Sequence, residues 1–203
     1  MMLNFVMECM YFIYYFFSYD IMKPLIYRRE LIRMSEDKNE FIKKSICAGM
    51  IIGLCCEIYK NCQNQYVGAF LFGLGLVTIC MCGLNLFTGK VGASNNIKDL
   101  VSIFVFNAVG ILIVRAIFFY TNPFSLGIGC GMLMQIGVVG YKRNIPWLTV
   151  MCIAGFLLGG FAHSIAKIYY LETYESFIQY PFILLGNIVG AKVMYYLGVK
   201  NND

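Results

Sequence analysis

The sequence is poor in charge. Of its 203 residues only 13% are Asp, Glu, Lys or Arg, against about 25% in soluble domains. That excludes a water-facing globule as the main architecture. Histidine is almost missing, with His163 the single example. No CxxC pair occurs among the nine cysteines: Cys55 and Cys56 are adjacent, Cys80 and Cys82 lie one residue apart, and the rest are scattered. A zinc site therefore has no support, and no metal ligands are assigned. Most of the cysteines fall inside apolar runs, where a thiol behaves as a small hydrophobe. No nucleophile–base pair is visible, which argues against an enzyme, and nothing calls for a cofactor. The formal net charge is +5, but the basic residues form no stripe with interleaved aromatics, so nucleic acid is not an expected partner.

What the chain has in abundance is apolar surface. It is 60% hydrophobic with a mean hydropathy of +0.69. A membrane-spanning helix needs about 20 mainly apolar residues. Six stretches qualify, at 44–59, 67–88, 99–120, 124–141, 146–170 and 180–198. Short connections between them predict a single all-α bundle. Lys and Arg concentrate before the first span (Lys23, Arg28, Arg29, Arg33, Lys38, Lys43, Lys44), after the second (Lys90, Lys98), after the fourth (Lys142, Arg143) and in the tail (Lys200). By the positive-inside tendency these segments face the cytoplasm. The expectation is a multi-pass protein of the cell membrane with both termini cytoplasmic. Its parts would be an N-terminal segment (1–43), a channel-like domain (44–198) and a short tail (199–203). The aromatic-rich residues 1–19 read best as an interfacial helix, with a seventh span as the alternative.

Two pairs of motifs recur at matching places in the order of spans. "FNAVG" (106–110) in the third and "GNIVG" (186–190) in the sixth each set an asparagine, Asn107 or Asn187, three residues before a glycine. "CGLNLFTGKVG" (82–92) closes the second span, and "GGFAHSIAKIYYL" (159–171) closes the fifth. Glycines and polar groups at a span's end predict a broken helix, which is tolerated at membrane depth only where protein or a water-filled cavity covers it. Two halves of three spans each must lie upside down to one another, the inverted-repeat plan common in transporters. The plainer reading of the two asparagines is that they tie helices together by hydrogen bonds.

These motifs resemble those of the formate/nitrite transporter family. "GFAHSIAKIY" is similar to the family's fifth-helix signature G-F-E-H-S-I-A-N-M. "GLNLFTGKVG" is similar to its second-helix loop, with Leu86, Phe87 and Thr88 on the L-F-T core. "LLGNIVGA" is similar to the sixth-helix G-N-I-I-G-G, and Lys98 stands where the family usually has a lysine. The resemblance runs from Ser45 to Gly198. It implies an aquaporin-like protomer of six transmembrane helices, with helices two and five broken, assembled as a homopentamer in the lipid bilayer. Each protomer would have its own pore for small monovalent anions such as formate, nitrite or hydrosulfide. The chain departs from the family at Asn85 and Ala162, where acids are usual, and at Lys167, where asparagine is usual.

The expected substrate pathway combines His163 and Thr88 as polar contacts with Leu86, Phe87 and Phe161 as apolar constrictions. Asn107 and Asn187 sit on the flanking spans, and Lys98 and Lys167 supply positive potential. A bare anion that loses hydration in such a pore has its pKa raised. His163 would then share or transfer a proton. The rival readings are a neutral-solute channel of the water or glycerol type, and a non-transporting scaffold or sensor on a degenerate transporter fold. The first lacks the Asn-Pro-Ala pairs expected of that class.

Overall fold

The computed structural model describes residues 38–200. The chain divides into two units, Met1–Glu40 and Phe41–Asp203, and the architecture below is that of the second. The expected interfacial helix at 1–19, the basic residues Lys23, Arg28, Arg29 and Arg33, and the last three residues of the tail lie outside the described residues.

Among the described residues there are helices and no strands: α1 (Lys38–Asn61), α2 (Gln65–Cys82), α3 (Phe87–Lys90), α4 (Ile97–Ile117), α5 (Pro123–Lys142), α6 (Pro146–Leu158), α7 (Ser164–Ile168) and α8 (Tyr174–Leu197). Their starts are written in the sequence. Asn64 and Asn96 cap α2 and α4, each accepting from two backbone amides of the first turn. Asn122 with Ser125, and Thr173 with Ser176, form reciprocal capping boxes on α5 and α8. Pro123 and Pro146 open α5 and α6 at the first turn, where the missing N–H costs nothing.

Four helices, α2, α4, α5 and α8, are long and apolar enough to cross a membrane. The chain is thus an all-α membrane protein. The expected span 44–59 lies within α1. The expected spans 67–88 and 146–170 are each divided, into α2 with α3 and α6 with α7.

The packing inverts the pattern of a soluble bundle. Large apolar side chains stand on the outside of α4 (Val101, Phe104, Leu112) and of α8 (Phe182, Leu185, Ile188), while α5 is the most enclosed of the four. The core is built from α1 and α5 together with α2 and α6, through Ile51, Leu54, Leu74, Leu133, Ile136 and Leu148. α4 lies tight on α1 because Gly49 and Gly110 carry no Cβ. One added to Gly49 would run into the Asn107 carbonyl, and one added to Gly110 into the Ile46 carbonyl. α8 lies on α5 in the same way, with Gly131 against the Asn187 carbonyl and Gly190 against the Ile128 carbonyl. Small residues that let backbones approach are the usual means of packing helices where lipid gives no hydrophobic drive.

Candidate functional site

Polar chemistry inside this bundle collects where α2 and α6 stop. Both stop in the same way. Gly83 (φ 68°) and Gly160 (φ 73°) take the left-handed conformation that a side chain disfavours. The amide of the next residue turns back to the helix, Leu84 N–H to the Ile79 carbonyl at 3.0 Å and Phe161 N–H to the Phe156 carbonyl at 2.9 Å. The chain then runs extended through Leu86 (φ −100°, ψ 130°) or His163 (φ −87°, ψ 121°) and resumes as a short helix, α3 or α7.

An asparagine from the neighbouring long helix holds each break. Asn107 Oδ1 accepts from Phe87 N–H at 2.9 Å, and its Nδ2 donates to the carbonyls of Asn85 (2.9 Å) and Ser45 (2.7 Å). Asn187 Oδ1 accepts from Ser164 N–H at 3.0 Å. Its Nδ2 donates to the carbonyls of Ala162 (2.8 Å), Gly127 (3.1 Å) and Ile183 (3.1 Å). A carboxamide has two donor hydrogens. Both asparagines therefore spend their donors on backbone, as the plainer sequence reading has it.

Two further bonds join helices α1–α4 to helices α5–α8. Asn61, at the end of α1, donates to the Gly159 carbonyl beside the second break at 3.1 Å. Arg143, just past the end of α5, donates through Nη1 to the Met81 carbonyl beside the first. Within the second group, Arg143 Nη2 reaches the Lys200 carbonyl at 2.7 Å, and Gln135 Nε2 the Val199 carbonyl at 2.8 Å.

The predicted site residues fall into two clusters. Leu86, Phe87 and Thr88 gather with Asn107. Leu86 is half-buried and Thr88 exposed, and the Phe87 ring meets Phe104 edge-on at 5.5 Å. His163 and Lys167, both half-buried, gather with Asn187. The helix break precedes His163, so Lys167 N–H reaches the His163 carbonyl at 2.9 Å and the two share one turn. His163 caps α7, its Nδ1 accepting from Ala166 N–H at 3.4 Å, with its ring 5.7 Å from that of Phe156. A neutral imidazole accepting at Nδ1 carries its proton on Nε2. No hydrogen bond or ring contact among the described residues joins His163 to Thr88.

Phe161 is buried, its ring over Gly129 and 5.2 Å from that of Phe118. By the matching turn bonds it corresponds to Leu84, and His163 corresponds to Leu86. Phe87 and Phe161, both expected as constrictions, therefore do not occupy matching places: they are three residues out of register. Lys98 is exposed in the first turn of α4, about 13 Å along the axis from Asn107.

Sequence reasoning missed Asn61 and Arg143 as braces. It also missed the Ser45 and Gly127 carbonyls, which carry no side-chain signal. Among the described residues no group of three or more His, Cys, Asp or Glu side chains could hold a metal ion. No family model, no curated protein and no solved structure matches this chain.

Proposed function

We propose that the chain is a multi-pass channel of the cell membrane for small monovalent anions of the formate, nitrite or hydrosulfide class. The observation that carries this reading is the repetition of one device. Two helices break at a left-handed glycine, each break is held by an asparagine through backbone bonds, and the single histidine lies at one of them. α1, α2 with α3, and α4 match α5, α6 with α7, and α8 in order and in these contacts. Three spans per half place such halves upside down to one another, which supports the aquaporin-like inverted repeat with six spans and both termini on one side; the Lys and Arg distribution favours the cytoplasmic side. The homopentamer implied by the family resemblance belongs to the same proposal.

His163 is the group best suited to meet the anion. Ionisable side chains within spans mark pathways by default. With Nδ1 engaged by Ala166 N–H, the neutral ring offers Nε2–H to an acceptor. Giving that proton away would leave an imidazolate, so the geometry favours hydrogen bonding to the anion over proton donation by the neutral ring. The proton that neutralises a weak-acid anion then comes from solvent. Lys167, on the same turn, adds positive potential.

The test is flux into liposomes holding the purified protein, with formate, nitrite, hydrosulfide and glycerol compared. Uptake of at least one of the anions, with glycerol excluded, is expected. Glycerol uptake without anion uptake would favour a neutral-solute channel. No uptake of any solute, in protein shown to be folded, would favour a scaffold or sensor.

A further inference from the structure

The uncovered faces of α4 and α8 are apolar along most of their length and end in opposite charges. On α4, Val101, Val105, Leu112 and Arg115 are spaced so that they share one face, and all four are exposed. On α8, Glu175, Ile178, Phe182 and Leu185 do the same. The other faces are taken, Gly110 of α4 by α1 and Gly190 of α8 by α5. Arg115 makes no hydrogen bond or ion pair among the described residues. Glu175 accepts from Gln179 Nε2 at 2.9 Å and has no basic partner among them.

An ionisable side chain on the lipid side of a span is costly and calls for a partner or a route to water. Arg115 lies two residues before the end of α4, and Glu175 is the second residue of α8. With six spans, the end of α4 and the start of α8 are both on the outer side. Two copies inserted alike hold these residues at nearly one depth, each within about 3 Å of a helix end. α4 of one copy laid antiparallel on α8 of the next brings Arg115 to Glu175. The same register brings Lys98 towards Lys192 at the inner end, where both are exposed and their long side chains can part into water. Like faces pair less well. α4 on a second α4 sets Arg115 against Arg115 and Lys98 against Lys98. α8 on a second α8 sets Glu175 against Glu175 and Lys192 against Lys192. Lipid gives no hydrophobic drive for joining helices, so the charges discriminate between these pairings.

We propose that a second copy of the chain covers the α4 face with its α8, and that Arg115 pairs there with Glu175 of the neighbouring copy. An interface of this heterologous kind, repeated about an axis along the membrane normal, closes into a ring. This rests on the six-span reading above and goes beyond it in naming the faces and the ion pair that join the protomers.

The test compares the full chain with Arg115→Glu, Glu175→Arg and the double variant that exchanges the two charges. The mass of each is measured in detergent over a dilution series, and formate flux is measured in liposomes. The wild type is expected to be a ring. Each single variant is expected to raise the concentration of half-assembly at least about tenfold, within the range for close interfacial charge pairs, and the double variant is expected to restore it. That recovery also shows that the exchanged side chains, exposed in the protomer, leave the fold intact. Single variants that assemble as the wild type does, or a double variant no better than the singles, would overturn the inference and leave Arg115 to reach the lipid headgroups. A wild-type monomer or dimer would overturn it as well. Flux separates this from the channel reading: anion flux without a ring removes the interface alone, and a charge-dependent ring without anion flux removes the channel reading alone.

Discussion

The two helix breaks share a backbone and differ in nearly everything else. Each has a left-handed glycine, a returned amide, an extended residue and a short helix, and each is clasped by an asparagine. Yet one displays Asn85, Leu86, Phe87 and Thr88, and the other Ala162, His163, Ser164 and Ile165. The clasps differ as well. Asn107 is 6% exposed and holds its break with three bonds, whereas Asn187 is half-buried and has four partners. The braces differ in charge, with neutral Asn61 on one break and Arg143 on the other. Shape and chemistry are thus carried by separate sets of residues, and the comparison can be attacked through either set.

The largest effect is expected from removing a clasp. Asn107→Leu strips partners from Phe87 N–H and from the Asn85 and Ser45 carbonyls. Leaving buried groups unpaired costs about 1–3 kcal/mol each, so a loss on the order of 3 kcal/mol or more follows and little folded protein should be recovered. Asn187→Leu should cost less, because Asn187 is only half-buried whereas Asn107 is buried. Thermal unfolding in detergent checks the order. Equal losses would show that burial does not separate the clasps.

The braces come next. Arg143→Ala removes charge-assisted bonds to Met81 and Lys200, each worth roughly 1.5–3 kcal/mol when the donor is ionised. Asn61→Ala removes one neutral bond to Gly159, worth about 1 kcal/mol. The expected ranking is a larger fall in thermal midpoint for Arg143→Ala, and the reverse ranking would put the greater strength on the second break.

The smallest effect on stability, and a large one on transport, is expected at His163. Asn is among the best helix caps, so His163→Asn retains an acceptor for Ala166 N–H while its shorter side chain withdraws the outer donor. Thermal stability should stay within about 0.5 kcal/mol of wild type. Formate flux should fall about tenfold. Matching rates in the two proteins would make the imidazole a cap and nothing more.

Much of this was legible in the sequence for identifiable reasons. Glycine beside polar residues at the end of an apolar run announces a break, and Gly83 and Gly160 bear that out. Asn107 and Asn187, each three residues before a glycine, announced their shared position. Side-chain labels alone do not reveal contacts made to main-chain oxygens, so the carbonyls of Ser45 and Gly127 were invisible as anchors. Phe161 resembled a pore-lining aromatic through its motif. The space over Gly129 that its ring fills depends on a helix more than thirty residues away in sequence.

The asparagines and braces grip almost entirely by main-chain atoms, and that has a consequence for how such a protein can change over generations. A substitution at Asn85, Leu86, Ala162 or His163 alters the side chains that the breaks display but leaves every carbonyl and amide in the clasp where it was. The displayed chemistry can therefore drift at a few positions while the scaffold stays constant. The two breaks of this one chain already display two different outcomes of that freedom.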